Sequence, residues 1–127
     1  MTSQEQARLL KLGSEVWNKW REEHPDEVVD LSRMDLSGLT LVNTNLKGAV
    51  LINTNFIKTK FEQVDLSNSK IAAADFTGTS HINTNFNSAE LTVANFMMAE
   101  MLGVDFSGAT LSSCIFSGAN INLTFFN

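Results

Sequence analysis

The side chains that could do chemistry in this 127-residue sequence are few and far apart. There are two histidines, His24 and His81, and one cysteine, Cys114. A zinc site needs three or four such ligands converging, so these residues do not form one and no metal is expected. A thiol nucleophile needs a nearby base and a polar setting. Cys114 falls at a small-residue position of the repeat described below, which predicts an inert buried thiol. His81 stands where every equivalent residue is large and apolar. It reads as a neutral core histidine hydrogen-bonded to backbone or water, with a buried switch or ligand role as the rival. The recurrent acids could pair for general acid–base work, but Asp and Asn alternate along each series (Asp35, Asn55, Asp75, Asn95 and Asn45, Asp65, Asn85, Asp105). The amides hold like charges about 10 Å apart, near one Debye length at moderate salt. Phosphate loops and nucleophile elbows are missing, so no catalytic residue, no cofactor and no enzyme are expected.

The elements that position these residues come from repetition. From Leu31 to Phe126, every fifth residue is large and apolar in nineteen of twenty cases, His81 being the exception. Composition alone, at 43% hydrophobic, would give about nine. Two residues earlier runs a small or β-branched column that includes Ala49, Thr54, Val64, Ala74, Ala89 and Cys114. A period of five suits neither a helix nor a flat strand. It fits a chain that bends once per repeat, with one large and one small side chain facing a shared axis. Each repeat is too short to bury its own apolar face, so successive coils must stack to make the core. The Asp/Asn residue before the large one recurs every ten residues, which requires an even number of sides; its short side chain supports turns. Gly38, Gly48, Gly78, Gly103, Gly108 and Gly118 lie two residues after the large position, where a bend calls for positive φ.

Segments such as Ala74-Asp75-Phe76-Thr77-Gly78 and Val104-Asp105-Phe106-Ser107-Gly108 resemble the pentapeptide-repeat family, whose motif is A(D/N)LXX. The resemblance covers residues 29–127. It implies an all-β solenoid: a right-handed quadrilateral β-helix with four repeats per coil, about five coils and about 24 Å long at the usual strand spacing. Residues 1–28 lie outside the repeat and are expected to form an α-helical cap on the first coil. Leu9, Leu12, Val16 and Trp20, with Leu10 and Trp17 beside them, give its apolar stripe, Ser3 and Gln6 a capping box, and Pro25 the stop. Gly13 is its weak point. A membrane-surface role is disfavoured because acids and bases mix on the polar face. The helix followed by Asp30-Leu31-Ser32 also resembles bacterial, notably cyanobacterial, members of the family.

Net charge is −5, which excludes a phosphate-backbone binder. No apolar run is long enough to span a bilayer, and the first ten residues lack the apolar core of a secretory signal, so a cytoplasmic location is expected. The reading that follows is a non-catalytic scaffold or protein-interaction module. The alternative is a DNA-mimicking modulator of a type II topoisomerase (gyrase). The family contains such proteins, and beyond Lys70 this chain holds Asp75, Glu90, Glu100 and Asp105 without Lys or Arg. Two outward apolar groups are candidate partner surfaces: Val42, Ile82 and Leu102 in one column, interrupted by Glu62 and ending at Asn122, and Ile57, Met97 and Met98 on the neighbouring face. The last copy, with Ile121, Leu123, Phe125 and Phe126, has no cap in the sequence. It is expected to pair end to end, as a homodimer or with another partner.

Overall fold

The computed structural model describes residues 1–127. Two helices, α1 (Ser3–Lys11) and α2 (Ser14–Glu23), precede a right-handed β-solenoid. Its regular strands are β1 (Thr40–Val42), β2 (Lys60–Glu62), β3 (Ser80–Ile82), β4 (Glu100–Leu102) and β5 (Asn120–Asn122). They form one parallel sheet in chain order, and Leu41, Phe61, His81, Met101 and Ile121 stand in one register. The other three sides are joined by single parallel bridges, such as Asp30 to Val50, Asp35 to Asn55 and Asn45 to Asp65, each again a step of twenty residues. Twenty residues therefore close one coil, and four such steps carry β1 to β5.

The five-residue period places the large side chains on the axis. Leu31, Leu36, Leu46, Phe56, Phe76, Phe86 and Phe96 are fully buried. Identical side chains one coil apart stack face to face: Phe76 on Phe96 at 4.6 Å between centroids, and Phe86 on Phe106 at 5.1 Å. Each such ring contributes roughly 1.5–3 kcal/mol through burial. The small column brings hydroxyls inside, and these are satisfied by carbonyls: Thr54 Oγ1 donates to Leu31 O at 2.9 Å and Thr79 Oγ1 to Phe76 O at 2.7 Å.

The corners are more demanding than the glycines alone suggest. Every fifth residue from Arg33 to Leu123 has positive φ; six are glycine and thirteen are not, including Val93 at 65° and Met98 at 62°. The left-handed conformation costs a side-chain-bearing residue about 1–2 kcal/mol. The ladder offsets it, since corner N–H groups donate to the next coil, as Arg33 does to Ile52 O and Lys58 to Thr77 O, both at 3.0 Å.

The N-terminal segment departs from the expected single helix. Gly13, at φ 123°, splits it in two. The capping box is formed by Thr2 and Glu5, not Ser3 and Gln6: Thr2 Oγ1 accepts from Glu5 N–H at 3.1 Å, and Thr2 N–H donates to Glu5 Oε1 at 2.9 Å. Ser3 is already inside the helix. The break also resets the helical phase, so the expected stripe survives only at its two ends, Leu9 and Trp20. Leu12 and Val16 are exposed, whereas Ala7, Leu10, Trp17 and Trp20 are buried against the coil.

Candidate functional site

The side chains with chemical potential are held in structural roles. The His81 ring is fully buried between Phe61, stacked at 4.6 Å, and the Phe76 and Phe96 rings. Its partners are two hydroxyls, not backbone or water as expected: Nε2 meets Thr79 Oγ1 at 3.0 Å and Nδ1 meets Thr84 Oγ1 at 3.1 Å. Thr79 spends its proton on Phe76 O. It must therefore accept from Nε2–H. Burial pushes the ring's pKa down to about 3, so it is neutral and Nδ1 accepts from the Thr84 hydroxyl. Cys114 Sγ donates to Leu91 O at 2.9 Å, and burial pushes the thiol pKa up, away from the thiolate that attacks or binds metal. It is half-buried, more open than the inward position suggested, because it lies in the last coil.

The Asx columns are turn devices. Oδ1 of Asp35, Asn45, Asn55, Asp65, Asp75, Asn85, Asn95 and Asp105 accepts the N–H two residues on, at 2.8–3.0 Å. Asp30 does the same toward Ser32 N–H. Ser37, Ser67 and Thr77 hydroxyls add a second bond of 2.6 Å to the preceding aspartate. The two bonds from Ser37 hold the Asp35 carboxyl below its usual range. No three His, Cys, Asp or Glu side chains converge as a metal site.

What remains outward is a set of faces. Val42, Glu62, Ile82, Leu102 and Asn122 share one register on the outer side of the sheet. Ile82 and Leu102 are adjacent and exposed by 42% and 46%. Val42, at 36%, is separated from them by Glu62, as the column's sequence requires. The second group is looser. Ile57 is half-buried, while Met97 and Met98 are exposed. Met98 sits at a corner over Gly118, whose missing Cβ leaves room: a Cβ there would lie 3.3 Å from Met98 Sδ. Ile121, Leu123, Phe125 and Phe126 are all exposed, and β5 is exposed throughout. Asp75, Glu90, Glu100 and Asp105 fall one to each side of the coil, since their bridges belong to four different stacks.

The helices supply polar residues that periodicity could not identify. Asn18 Nδ2 donates to Asn43 O at 2.7 Å while its Oδ1 accepts Asn45 N–H at 2.9 Å. Trp17 Nε1 donates to Asn45 O at 2.8 Å, and Arg21 reaches Asn45 O and Lys47 O at 3.2 and 2.8 Å. Gln6 repeats the amide device on another side, donating to Val28 O and accepting from Asp30 N–H, both at 2.9 Å. In later coils the groups equivalent to Asn45 N–H and C=O bond to backbone of the coil above. Asn18 and its neighbours stand in for that coil and protect the sheet edge. Neither helix is long and apolar enough to cross a membrane.

The pentapeptide-repeat family model matches in eight copies, over residues 30–68 and 99–127. Among solved structures, the chain is similar to a pentapeptide-repeat protein, Rfr23, from the cyanobacterium Cyanothece 51142. Identity there is 26% over 80% of this chain and 68% of that one, with a TM-score of 0.49. It is also similar to a pentapeptide-repeat protein of the Arabidopsis thaliana thylakoid lumen. That match has 29% identity, a TM-score of 0.47, and covers 68% of this chain and 64% of the other. A third, from Nostoc Pcc 7120, has 19% identity and a TM-score of 0.38, covering 82% and 93%. No curated protein matches. The family model matches more than half of the sequence, and the chain closes one coil every twenty residues: this chain belongs to the pentapeptide-repeat family.

Proposed function

We propose that this protein is a non-catalytic scaffold that offers a partner protein the outer face of its five-stranded sheet. One observation carries the reading: Ile82 and Leu102 project side by side into solvent from strands whose backbone and inward side chains are locked in the stack. A fixed apolar pair loses little entropy on contact, so it is well suited to anchoring a partner. Glu62 and Glu100 border it and supply a polar rim. The His81 and Cys114 geometries support the non-catalytic part, because both groups are tied into the core in unreactive forms. The scaffold would also pair end to end through Ile121, Leu123, Phe125 and Phe126.

The test is affinity capture from the native host, followed by binding of the captured protein to wild type and to Ile82→Ser/Leu102→Ser. Unchanged affinity in the double variant rejects the face. Sedimentation showing only monomer at tens of micromolar rejects end-to-end pairing. In a gyrase supercoiling assay this reading expects no effect, because the four acids beyond Lys70 are spread over four sides and form no single acidic stripe. Inhibition would instead favour DNA mimicry.

A further inference from the structure

The upper edge of the first coil is covered unevenly. Gln6 serves Asp30, and Trp17, Asn18 and Arg21 serve Asn45 and Lys47. The strand β1 differs. In every later strand the first residue donates its N–H to the coil above: Lys60 to Leu39 O at 2.8 Å, Ser80 to Thr59 O at 3.2 Å, and Glu100 to Thr79 O and Asn120 to Ala99 O at 2.9 Å. Thr40 holds the same register with no coil above it, and α1 and α2 bring no hydrogen-bonding side chain to it. The Val42 carbonyl receives only the Thr44 hydroxyl, at 3.2 Å. So β1 is an open parallel edge whose N–H and C=O groups point away from β2.

Beside this edge the turn at Gly13 leaves a cleft of about 360 Å³ between the two helices and β1. Its walls include Leu10, Lys11, Ser14, Leu39, Thr40 and Val42. Two chemistries meet there. The strand edge recognises extended backbone, and half-buried Leu39 with exposed Val42 gives apolar surface for alternate side chains of an added strand. At the helix-turn side, Lys11 brings a positive charge, which it shares with nearby Asp35. The first turn of α2 has no side-chain cap, because its N-cap is Gly13.

We propose that this cleft binds an extended peptide, which adds as a further strand to β1 and sets a carboxylate against Lys11. The carboxylate can come from a chain terminus or from an Asp or Glu side chain. The site is separate from the Ile82–Leu102 pair, from which Glu62 divides Val42, so it does not depend on the scaffold face.

The test uses the full ¹⁵N-labelled chain and a defined probe, the acetylated hexapeptide Thr-Val-Thr-Val-Thr-Val with a free C-terminus. Titration should shift the amide signals of Thr40, Val42 and Ser14 and slow hydrogen exchange at Thr40. A probe N-methylated at alternate residues, which cannot bridge to a strand edge, should bind at least tenfold more weakly. C-terminal amidation should weaken binding several-fold, and an amidated probe ending in Asp should recover it if a side-chain carboxylate serves as well as a terminus. Lys11→Gln should weaken the carboxylate probe and leave the amidated one unaffected, and Ile82→Ser/Leu102→Ser should bind like wild type. The proposal is overturned if millimolar probe moves no β1 signal, if the shifts centre on residues 121–126, or if the N-methylated probe binds equally well. Equal binding of free and amidated probes would remove the carboxylate from it.

Discussion

Removing the imidazole of His81 should change how stability responds to acid more than it changes stability at neutral pH. In the unfolded chain this group titrates near 6.5; in the fold, desolvation pushes it down to about 3. Between those values the unfolded chain binds more protons than the folded one, so stability rises with pH through the window. It is complete above 6.5 and is lost as pH falls toward 3. At pH 5, one and a half units below the unfolded value, the loss is about 2 kcal/mol, at 1.36 kcal/mol per unit. His81→Leu restores the residue type of Leu41 in the same column and removes the titration. Thr84 then loses its acceptor, but it can turn to its own i−2 carbonyl, as Thr44 does to Val42 O and Thr124 to Asn122 O. The assay is urea unfolding followed by far-UV circular dichroism at pH 7.5 and pH 5. Wild type should lose about 2 kcal/mol more than the variant between the two. Glu5 and Asp35 are also held below their usual values, but their stabilisation is lost lower, as pH falls through the carboxylate range, and it cancels in the difference. Parallel pH dependence in the two proteins would refute a neutral, dry His81.

Three further outcomes follow from the same geometry. Asn18→Ala deletes the bonds to Asn43 O and Asn45 N–H and should cost about 1–3 kcal/mol; tryptophan fluorescence, which reports only on the helices, should change at lower urea than circular dichroism. Phe96→Ala opens a gap between Phe76 and Phe116, which flank it at 4.6 and 5.3 Å, and should cost about 3–5 kcal/mol in urea unfolding. Val93→Asn should raise Tm by a few degrees in calorimetry, because asparagine tolerates the left-handed conformation that this exposed, β-branched residue holds at φ 65°.

The period of five and the inward columns from Leu31 to Phe126 were legible because each is stated many times over, whereas the repeats by themselves required only an even number of sides and the twenty-residue coil came with the family resemblance. Stacking puts the same kind of side chain against its own copy, as Phe76 meets Phe96, so local pattern and long-range contact carry the same information. The Asx turns were legible for a related reason: donor and acceptor lie two residues apart. Tertiary structure alone decided the features that occur once. The capping bonds of Gln6, Trp17 and Asn18 join residues 22 to 28 positions apart, and no repeat announces them. The phase of the helices turned on a single glycine, which exposed Leu12 and Val16 while the neighbouring Leu10 and Trp17 stayed inside. Even the left-handed corners at Val93 and Met98 became visible only when the coil closed, since the ladder bonds that hold them against their own preference come from the coil below.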